Sequence, residues 1–124
     1  MSSIYDNHLE KNSANFESLS PLSFFRRAAL LYADYTATVH GERRYSWGET
    51  YQRAVKVASA LKDRGIGPGD TVAVMLPNIP EMFESHFSIP MSGAVLNAIN
   101  TRLDAKTVAF ILRHAEAKVL LADR

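Results

Sequence analysis

The sequence predicts an α/β fold whose centre is a three-stranded parallel βαβαβ sheet. Three short apolar runs, residues 71–76, 94–99 and 118–122, have the length and composition of buried strands. Two segments with the spacing of amphipathic helices separate these runs, which gives the order strand, helix, strand, helix, strand. This order favours parallel strands joined by right-handed crossovers. A helix, a short hairpin and a long capped helix are predicted to precede the sheet.

Residues 1–19 are polar and aperiodic, which predicts an extended arm before the first helix. Ser20 is a preferred N-cap residue, and Pro21 follows at the first helical position, where its missing N–H leaves no hydrogen bond unmade. This helix is expected to end near residue 33. Its apolar side chains share one face, which consists of Leu22, Phe25, Ala29 and Tyr32.

A hairpin is predicted next, with strands at residues 36–40 and 43–46 joined by a turn at Gly41 and Glu42. Polar and apolar residues alternate along the first strand, as they do in a strand with one buried face. The polar positions are Thr36, Thr38 and His40, and the apolar positions are Ala37 and Val39.

The second helix has a clear start and a clear end in the sequence. Ser46 and Glu49 have the spacing of a capping box. Gly65 occupies the position where a left-handed backbone commonly ends a helix. Arg53 follows Glu49 by four residues, which favours an ion pair between them. The predicted buried face consists of Trp47, Tyr51, Ala54, Val55, Ala58 and Leu61.

Two further helices are predicted to connect the three strands. One begins near Pro80, and Pro90 is expected to kink or end it. The other is capped by Asp104. The predicted apolar faces are Met82, Phe83, His86 and Phe87 on the first of these helices, and Val108, Ile111, Leu112 and Ala115 on the second.

Residues 64–78 read RGIGPGDTVAVMLPN and raise the question of a phosphate-binding loop. A dinucleotide-binding loop needs a strand before its glycines and a helix after them, so that phosphates meet free N–H groups. Here the order is reversed, because a helix precedes Gly65 and a strand follows Asp70. Asp70 also replaces the third glycine of G-x-G-x-x-G. We interpret the stretch as a helix stop, a turn at Pro68 and Gly69, and the start of a strand.

Composition argues against several classes of site and partner. The 14 basic residues nearly balance the 13 acidic ones, which gives no electrostatic reason to expect nucleic acid or an anionic membrane as a partner. The absence of cysteine excludes disulfides, thiolate metal sites and cysteine nucleophiles. No secretory signal and no apolar run of membrane-spanning length is present. A cytoplasmic protein is expected, with an organellar location also open.

Residues of catalytic type do not form a recognised constellation in the sequence. His8, His40, His86 and His114 lack metal-ligand spacing. His86 is interpreted as a hydrogen-bonded residue at the edge of the core, with a pocket-lining role as the alternative. The segment Pro90–Gly93 lacks the nucleophile elbow of serine hydrolases. We interpret Arg26, Arg27, Arg43 and Arg44 as solvated and Tyr45, Trp47 and Tyr51 as packed in the core.

Several stretches, taken in order, resemble the start of the adenylate-forming acyl-CoA synthetases. The segment PLSFFRRAALLYAD and the stretch TATVHGERRYSWGETYQRAVKVASAL after it are similar to the family's first helix, hairpin and capped helix. The block RGIGPGDTVAVMLPNIPEM resembles their Gly-Asp-x-Val-Ala segment. The next stretch, HFSIPMSGAVLNAINTRLDAKTVAFILRHAEAKVLLAD, resembles the segment that follows in the family. Its NTRLDA part is most similar to the branch that activates short- or medium-chain and related acids. The resemblance covers residues 20–124.

The resemblance implies a two-step reaction that joins a carboxylic acid to CoA. ATP and the acid give an acyl-adenylate and pyrophosphate, and the CoA thiol then displaces AMP; Mg²⁺ is needed to hold the polyphosphate. The family's phosphate loop, its aromatic-x-Thr-Glu motif, its ribose-binding Asp and its mobile-domain Lys have no counterpart in this sequence. We therefore predict no catalytic, cofactor-binding or metal-binding residue in this chain. Asn78 and Arg102 match recurring family positions and are expected to have loop and helix-cap roles.

These observations predict that residues 20–124 form the first part of a larger AMP-binding domain and are inactive alone. The chain stops directly after an apolar run, which we interpret as truncation. Two alternatives remain. One is an independent small α/β module with a binding or interaction role, derived from a synthetase gene. The other is a dinucleotide-binding domain, which the reversed order at Gly65 disfavours.

Overall fold

The computed structural model describes Ile4, His8 and residues 10–123 of the chain. Of the predicted arm at residues 1–19, residues 1–3, 5–7 and 9 lie outside the described residues. Residues 10–19 contain no helix or strand and form one turn at residues 13–15. The side chains of Asn12 and Asn15 hold this turn by hydrogen bonds to backbone groups within it.

The described residues contain four helices and five strands in the predicted order. The first part of the chain forms α1, β1, β2 and α2, and the second part forms β3, α3, β4, α4 and β5. Their bounds are Pro21–Leu31 (α1), Thr36–His40 (β1), Arg43–Ser46 (β2), Trp47–Asp63 (α2), Thr71–Met75 (β3), Pro80–Met91 (α3), Val95–Ala98 (β4), Ala105–His114 (α4) and Ala117–Ala122 (β5).

The last three strands form the predicted parallel sheet, in the order β4-β3-β5. The central strand β3 is the most deeply buried, and Val72, Ala73 and Val74 are fully inaccessible to solvent. A strand buried on both faces is expected to be a continuous apolar run, as the sequence predicted. The core around β3 is completed by Leu61, Ile66, Ile89 and Ala94.

Both predicted capping motifs form at the first two helices. The Ser20 hydroxyl accepts a hydrogen bond from the Leu22 N–H, 3.2 Å away, at the start of α1. At the start of α2, the Ser46 hydroxyl accepts from the Glu49 N–H at 3.2 Å, and the Glu49 carboxylate accepts from the Ser46 N–H at 2.8 Å. These are the two reciprocal bonds of a capping box.

An aromatic cluster holds α1 against α2 and α3. Phe25, the one buried residue of α1, stacks on Phe87 with ring centroids 4.1 Å apart. It also makes tilted or edge contacts with Tyr51 and Trp47. Phe83 contacts both Trp47 and Phe87. Trp47 and Tyr51 were expected in the core, but both are half-buried and pack between helices in this cluster, outside the buried core.

The predicted faces of four elements need correction. On α1, Tyr32 was expected on the apolar face but is 52% exposed. In β1 a bulge between Thr36 and Thr38 breaks the alternation, because the extra residue shifts the pairing with β2. Consequently Thr38 is half-buried whereas Val39 is 58% exposed. On α2, Val55 is 40% exposed, and the fully buried polar position is Thr50, whose hydroxyl donates to the Ser46 carbonyl.

The face of α3 with the greatest burial was also wrongly predicted. Glu84, Ser85, Ser88 and Ile89 are buried and lie on one side of the helix, which packs extensively on α2. The predicted face, made of Met82, Phe83, His86 and Phe87, is only partly buried or exposed. Small serines on α3 and the buried alanines of α2 allow the two helices to approach closely. The helix ends one residue after Pro90, as expected of proline in a last turn.

Candidate functional site

A cleft of about 640 Å³ opens at the carboxyl end of the central strand β3. In open α/β sheets, ligands bind outside the carboxyl ends of the strands, so this position is the first to consider. The hairpin forms one wall through β1. The bend after β3, which contains Asn78, and the first turns of α3 form the other wall.

Two imidazole rings give this cleft most of its polar character. The Nδ1 atom of His86 lies 2.9 Å from the Met82 carbonyl, which can only accept, so Nδ1 carries the proton of the neutral ring and Nε2 is an acceptor. The Nδ1 atom of His40 lies 3.3 Å from an Arg43 guanidinium nitrogen, which can only donate, so here Nε2 carries the proton. The cleft thus has one donor ring and one acceptor ring.

The remaining lining of the cleft is uncharged and mostly apolar, and its other polar members are Thr38 and Asn78. Phe83, Phe87 and Met82 supply most of the wall from α3, and Asn78 adds an exposed amide. No Lys, Arg, Asp or Glu side chain lines the cleft among the described residues. Polyphosphate binding needs cationic groups, so the cleft is suited to a small, largely apolar molecule and not to a nucleotide's phosphates.

Beside the cleft, four charged side chains join the hairpin and α2 to α3. Arg53 donates from Nε to a Glu84 carboxylate oxygen at 2.5 Å, and from Nη2 to Glu81 at 3.3 Å. Arg43 of β2 donates to the same Glu81 at 2.9 Å. The Arg53 guanidinium also lies over the ring of Tyr45, 4.4 Å from its centroid. This group is called the ion-pair network below.

One sequence interpretation is wrong at this network and another is incomplete. Arg53 was expected to pair with Glu49, but its guanidinium bonds to Glu84 and Glu81, while the Glu49 carboxylate is used in the capping box. Arg43 was interpreted as solvated and is exposed, but it also pairs with Glu81, which the sequence did not indicate. In both cases the true partner lies on a different element, and local spacing cannot identify it.

The network also sets the protonation state of its exposed carboxylate. Burial raises the pKa of Glu81, but its own backbone N–H and the Arg43 and Arg53 guanidinium groups outweigh burial. The pKa of Glu81 therefore lies below its ordinary value. Glu81 is ionised at neutral pH and acts as a bridge between two elements.

The glycine-rich stretch forms the predicted helix stop. The Ile66 N–H donates to the Leu61 carbonyl at 3.0 Å and the Gly65 N–H to the Lys62 carbonyl at 2.8 Å. These are the two bonds of a Schellman motif, in which Gly65 has the required positive φ of 78°. Ile66 and Leu61 then meet in the core, which anchors the end of α2.

The next turn is organised by Asp70, a role that the sequence analysis did not identify. The Asp70 N–H donates to the Gly67 carbonyl at 3.1 Å, and Gly69 between them has a φ of 87°. The Asp70 carboxylate accepts from the Gly67 N–H at 2.9 Å and pairs with Lys118 of β5 at 2.5 Å. Its carbonyl accepts from the Val95 N–H of β4 at 2.8 Å.

Asp70 therefore ties the turn to both outer strands of the sheet. The Lys118 ammonium and then the Gly67 N–H lower the pKa of this carboxylate below its ordinary value. The N–H groups of Gly65, Ile66, Gly67 and Asp70 are used in these internal bonds. The interpretation as a helix stop, a turn and the start of a strand is confirmed.

The other histidines and the serine of residues 90–93 do not gather into a site. His114 stacks on Phe110 of α4, and His8 is exposed in a turn. Ser92 is buried, and its hydroxyl donates to the Ile89 carbonyl at 2.7 Å, which is a local bond at the end of α3. Across residues 4, 8 and 10–123, no three His, Asp or Glu side chains form a group that could hold a metal ion.

Asn78 and Arg102, which match recurring positions of the resembled family, lie in two different loops. Asn78 is exposed in the bend before α3, whose N-cap is Ile79 and has no side-chain cap bond. The Arg102 N–H donates to the Asn100 side chain at 2.9 Å in the turn before α4, and the cap of α4 is Asp104. The expected loop positions are observed, and the helix caps are other residues. Arg26, Arg27 and Arg44 are exposed, as interpreted.

His86 combines features of both sequence interpretations. Its ring is hydrogen-bonded, as expected, but the residue is exposed and lines the cleft. The presence of His86 and His40 in the lining of one cleft was not foreseen. The sequence shows only that the hairpin and α3 each carry one histidine. It does not show that these two elements lie next to each other in the fold.

Comparison with known proteins assigns the fold and these motifs to one family. The profile of the AMP-binding enzyme family matches residues 25–124. The chain is 51% identical over 116 residues to the peroxisomal acetate/butyrate–CoA ligase of Arabidopsis thaliana, which covers 94% of this chain and 20% of that relative. The chain belongs to the AMP-binding enzyme family, and its relatives include acid–CoA ligases. It spans about a fifth of the length of the curated relatives it matches.

Solved structures of larger proteins share the fold. The anthranilate–CoA ligase AuaEII in complex with anthranoyl-AMP matches with a TM-score of 0.82 and 26% identity, over 90% of this chain and 22% of that one. The N-terminal subdomain of Klebsiella oxytoca NpsA matches with a TM-score of 0.77 and 21% identity, over 84% of this chain and 27% of that subdomain. The resemblance to an acyl-CoA synthetase N-terminal region is therefore confirmed.

Neither the cleft at β3 nor the glycine-rich stretch fits the polyphosphate of ATP. The cleft at β3 has no cationic side chain for a triphosphate, and Glu81 and Glu84 of the ion-pair network are already bound to arginines. The glycine-rich stretch is closed by its own hydrogen bonds. None of the described helices is long and apolar enough to span a bilayer.

Proposed function

We propose that this chain is the N-terminal part of an ATP-dependent carboxylic acid–CoA ligase. The whole enzyme would convert an acid and ATP to an acyl-adenylate and pyrophosphate, and then transfer the acyl group to the CoA thiol with release of AMP. The observation that carries the proposal is the 51% identity to the acetate/butyrate–CoA ligase across 94% of this chain. The anthranoyl-AMP held by a structural neighbour supports the adenylate as the intermediate.

Within that enzyme, the chain is proposed to supply structure and not reacting groups. Its deepest contacts, those of Phe25 and Val72, belong to packing, and the ion pairs of Arg53 with Glu84 and of Lys118 with Asp70 link elements of the fold. The other four-fifths of a family-length polypeptide would hold the nucleotide, the metal ion and CoA. We predict that the 124-residue chain alone shows no ATP–pyrophosphate exchange above a buffer blank with acetate or butyrate.

The substrate is proposed to be a short-chain or related carboxylic acid. The support is the relative that acts on acetate and butyrate, together with the NTRLDA segment at residues 100–105. That relative is peroxisomal by name, and we extend the same location to the family-length protein. Fluorescence microscopy of the tagged protein beside a peroxisomal marker tests this location, and diffuse cytoplasmic signal contradicts it.

A hybrid polypeptide tests the proposed function. The aligned 116 residues of the acetate/butyrate–CoA ligase are replaced by the corresponding residues of this chain, and butyryl-CoA formation is measured. Because the exchanged part is proposed to carry no reacting group, the hybrid is expected to retain activity. The unmodified ligase is the control. A soluble, folded hybrid with no adenylate formation contradicts the proposal.

A further inference from the structure

The segment around α1 exposes a high concentration of large apolar side chains. Among the described residues, seven of the fourteen exposed large apolar side chains lie between residues 16 and 35, a span of 20 of the 124 residues. They are Phe16, Leu19, Phe24, Leu30, Leu31, Tyr32 and Tyr35. Apolar side chains gathered on one exposed surface commonly mark an interaction site.

Phe25 determines which side of α1 faces outward. It is 2% exposed and stacks on Phe87, so residues on the opposite side of the helix face solvent. At the end of the helix these residues are Leu30 and Leu31, which are 72% and 60% exposed. Arg27, one turn before Leu31, is also exposed. The last turn of α1 thus presents two leucines and an arginine to solvent.

Opposite charges lie on the two sides of these leucines. Arg27 comes three residues before Leu30, and Asp34, exposed in the turn after the helix, comes three residues after Leu31. Neither Arg27 nor Asp34 forms an ion pair with any described residue. Both charges are therefore available to a partner. The set of Arg27, Leu30, Leu31 and Asp34 is called the α1 face.

A groove of about 540 Å³ lies beside the α1 face. Leu30 and Leu31 form part of its lining, and Tyr51 of α2 and Met91 of α3 contribute to it from the neighbouring helices. Helices pack by placing the side chains of one in the grooves of the other. The surface thus offers both parts of such a contact, a pair of projecting leucines and a groove with apolar side chains next to them.

We propose that the α1 face binds a second copy of this chain, with the two α1 helices antiparallel about a two-fold axis. The axis passes between Leu30 and Leu31, so Leu30 of each copy contacts Leu31 of the other. Arg27 of each copy then lies opposite Asp34 of the other. An isologous contact requires a self-complementary surface, and the equal spacing of the two opposite charges from the leucines supplies it.

Charge complementarity favours a second copy over an anionic lipid surface. Such a surface would attract Arg26 and Arg27 but repel Asp34 and Glu17, which is exposed in the lining of the same groove. These four charges cancel within one copy, so two copies meet without net repulsion. One helix face is smaller than a standard interface, so a weak dimer is expected, with a dissociation constant of roughly tens of micromolar. This association does not depend on the ligase reaction.

Sedimentation velocity of the 124-residue chain, from about 1 to 300 μM, tests the proposal. A shift from monomer to dimer with rising concentration is expected. Leu31→Asp places a charge in the contact twice, once from each copy, and should weaken the dimer by at least about a hundredfold. Phe110→Asp, at a residue of α4 that is 60% exposed, is the control and should leave the dimer unchanged. A monomer at every concentration, or equal losses in both variants, would overturn the proposal.

A mixture of two charge variants tests the antiparallel geometry itself. Arg27→Asp and Asp34→Arg each place like charges opposite one another, and each should weaken its own dimer by about tenfold. An equimolar mixture restores opposite charges at both ends of the contact and should dimerise within about threefold of the unsubstituted chain. Fluorescence of Trp47 checks that each variant is folded. A mixture as weak as the separate variants would overturn the proposed pairing.

The hybrid polypeptide and lipid vesicles decide between the other occupants. The hybrid is expected to show the same association, again lost with Leu31→Asp. A monomeric hybrid would overturn the proposal, because the rest of the polypeptide would then cover the α1 face; butyryl-CoA formation is measured separately, so the two proposals can fail independently. Vesicles of equimolar phosphatidylserine and phosphatidylcholine provide the last test. Binding of a monomeric chain to them, abolished by Arg27→Asp, would show a lipid surface as the occupant and overturn the proposal.

Discussion

Replacing Arg53 by methionine tests the ion-pair network that joins α2 to α3. The carboxylate of Glu84 is 5% exposed, and Arg53 lies 2.5 Å from it. Removing one partner of a fully buried pair costs about 3–5 kcal/mol, because the other charge is left in a poorly solvated place. The Arg53 side chain is 35% exposed, so water enters the site, and we expect the smaller loss of about 2–3 kcal/mol.

The assay is urea unfolding followed by fluorescence. Trp47 is the single tryptophan, and it contacts Phe25 and Phe83 in the aromatic cluster between the same helices. Methionine retains the aliphatic length of Arg53, so packing against Tyr45 is largely kept and the charge is the principal change. The expected loss corresponds to a melting temperature lower by roughly 10 °C.

Two further variants decide whether the pair itself is responsible. Lys56→Met on the exposed side of the same helix should change stability by less than about 0.5 kcal/mol. Arg53→Met combined with Glu84→Leu should recover most of the loss, because a buried pair replaced by apolar residues is often neutral. An Arg53→Met protein as stable as the wild type, or a double variant less stable than either single variant, refutes this reasoning.

Two other predictions concern the glycine-rich stretch. Gly65→Ala should lower the free energy of unfolding by about 1 kcal/mol, because Gly65 has a φ of 78°, whereas Gly67→Ala should have no such cost. The midpoints of urea unfolding of the two variants are compared, and equal midpoints contradict the role of Gly65. Asp70→Asn should destabilise the protein at pH 7, and the difference from the wild type should shrink as pH falls below about 4.

The sign of the second effect follows from the lowered pKa of Asp70 in the folded protein. Above the ordinary pKa of an unfolded aspartate, both states are ionised and the Lys118 pair contributes fully. As the pH falls, the unfolded chain takes up its proton first, so this contribution is lost. Urea midpoints between pH 7 and pH 3 measure it, and a difference that grows toward acid pH contradicts the role assigned to Asp70.

The features that could be predicted from sequence are those fixed by neighbouring residues. The capping box of Ser46 and Glu49 depends on a three-residue spacing, and the helix stop at Gly65 depends on one residue's freedom to adopt positive φ. The parallel sheet was predicted because Val72 and Val74 lie in a continuous apolar run between two helical patterns.

Features that depend on which elements meet were not predicted. Glu84 can be buried because it forms an ion pair with Arg53, which lies on another helix. Glutamate is usually a surface residue, so the spacing of apolar residues alone predicts the wrong buried face for α3. The cleft histidines His40 and His86 are likewise brought together by the packing of the hairpin on α3. The contact of Lys118 with Asp70 joins positions 48 residues apart.

The same distinction explains why no reacting group was identified in this chain. Motifs that recognise phosphates and metal ions combine local spacing with a fixed element order, and the glycine-rich stretch has the wrong order. The structure uses its glycines for a helix end and its Asp70 for a link between strands. This organisation agrees with a scaffold role in a larger ligase, which is the proposal made above.

The rate of butyryl-CoA formation by the hybrid polypeptide tests that central claim most directly. If this chain supplies only a fold that its 51%-identical relative shares, kcat of the hybrid should stay within about tenfold of the unmodified ligase, a change of roughly 1.4 kcal/mol in the barrier. A folded hybrid whose kcat falls by a thousandfold or more would contradict the account, because such a loss means that the exchanged residues take part in the reaction.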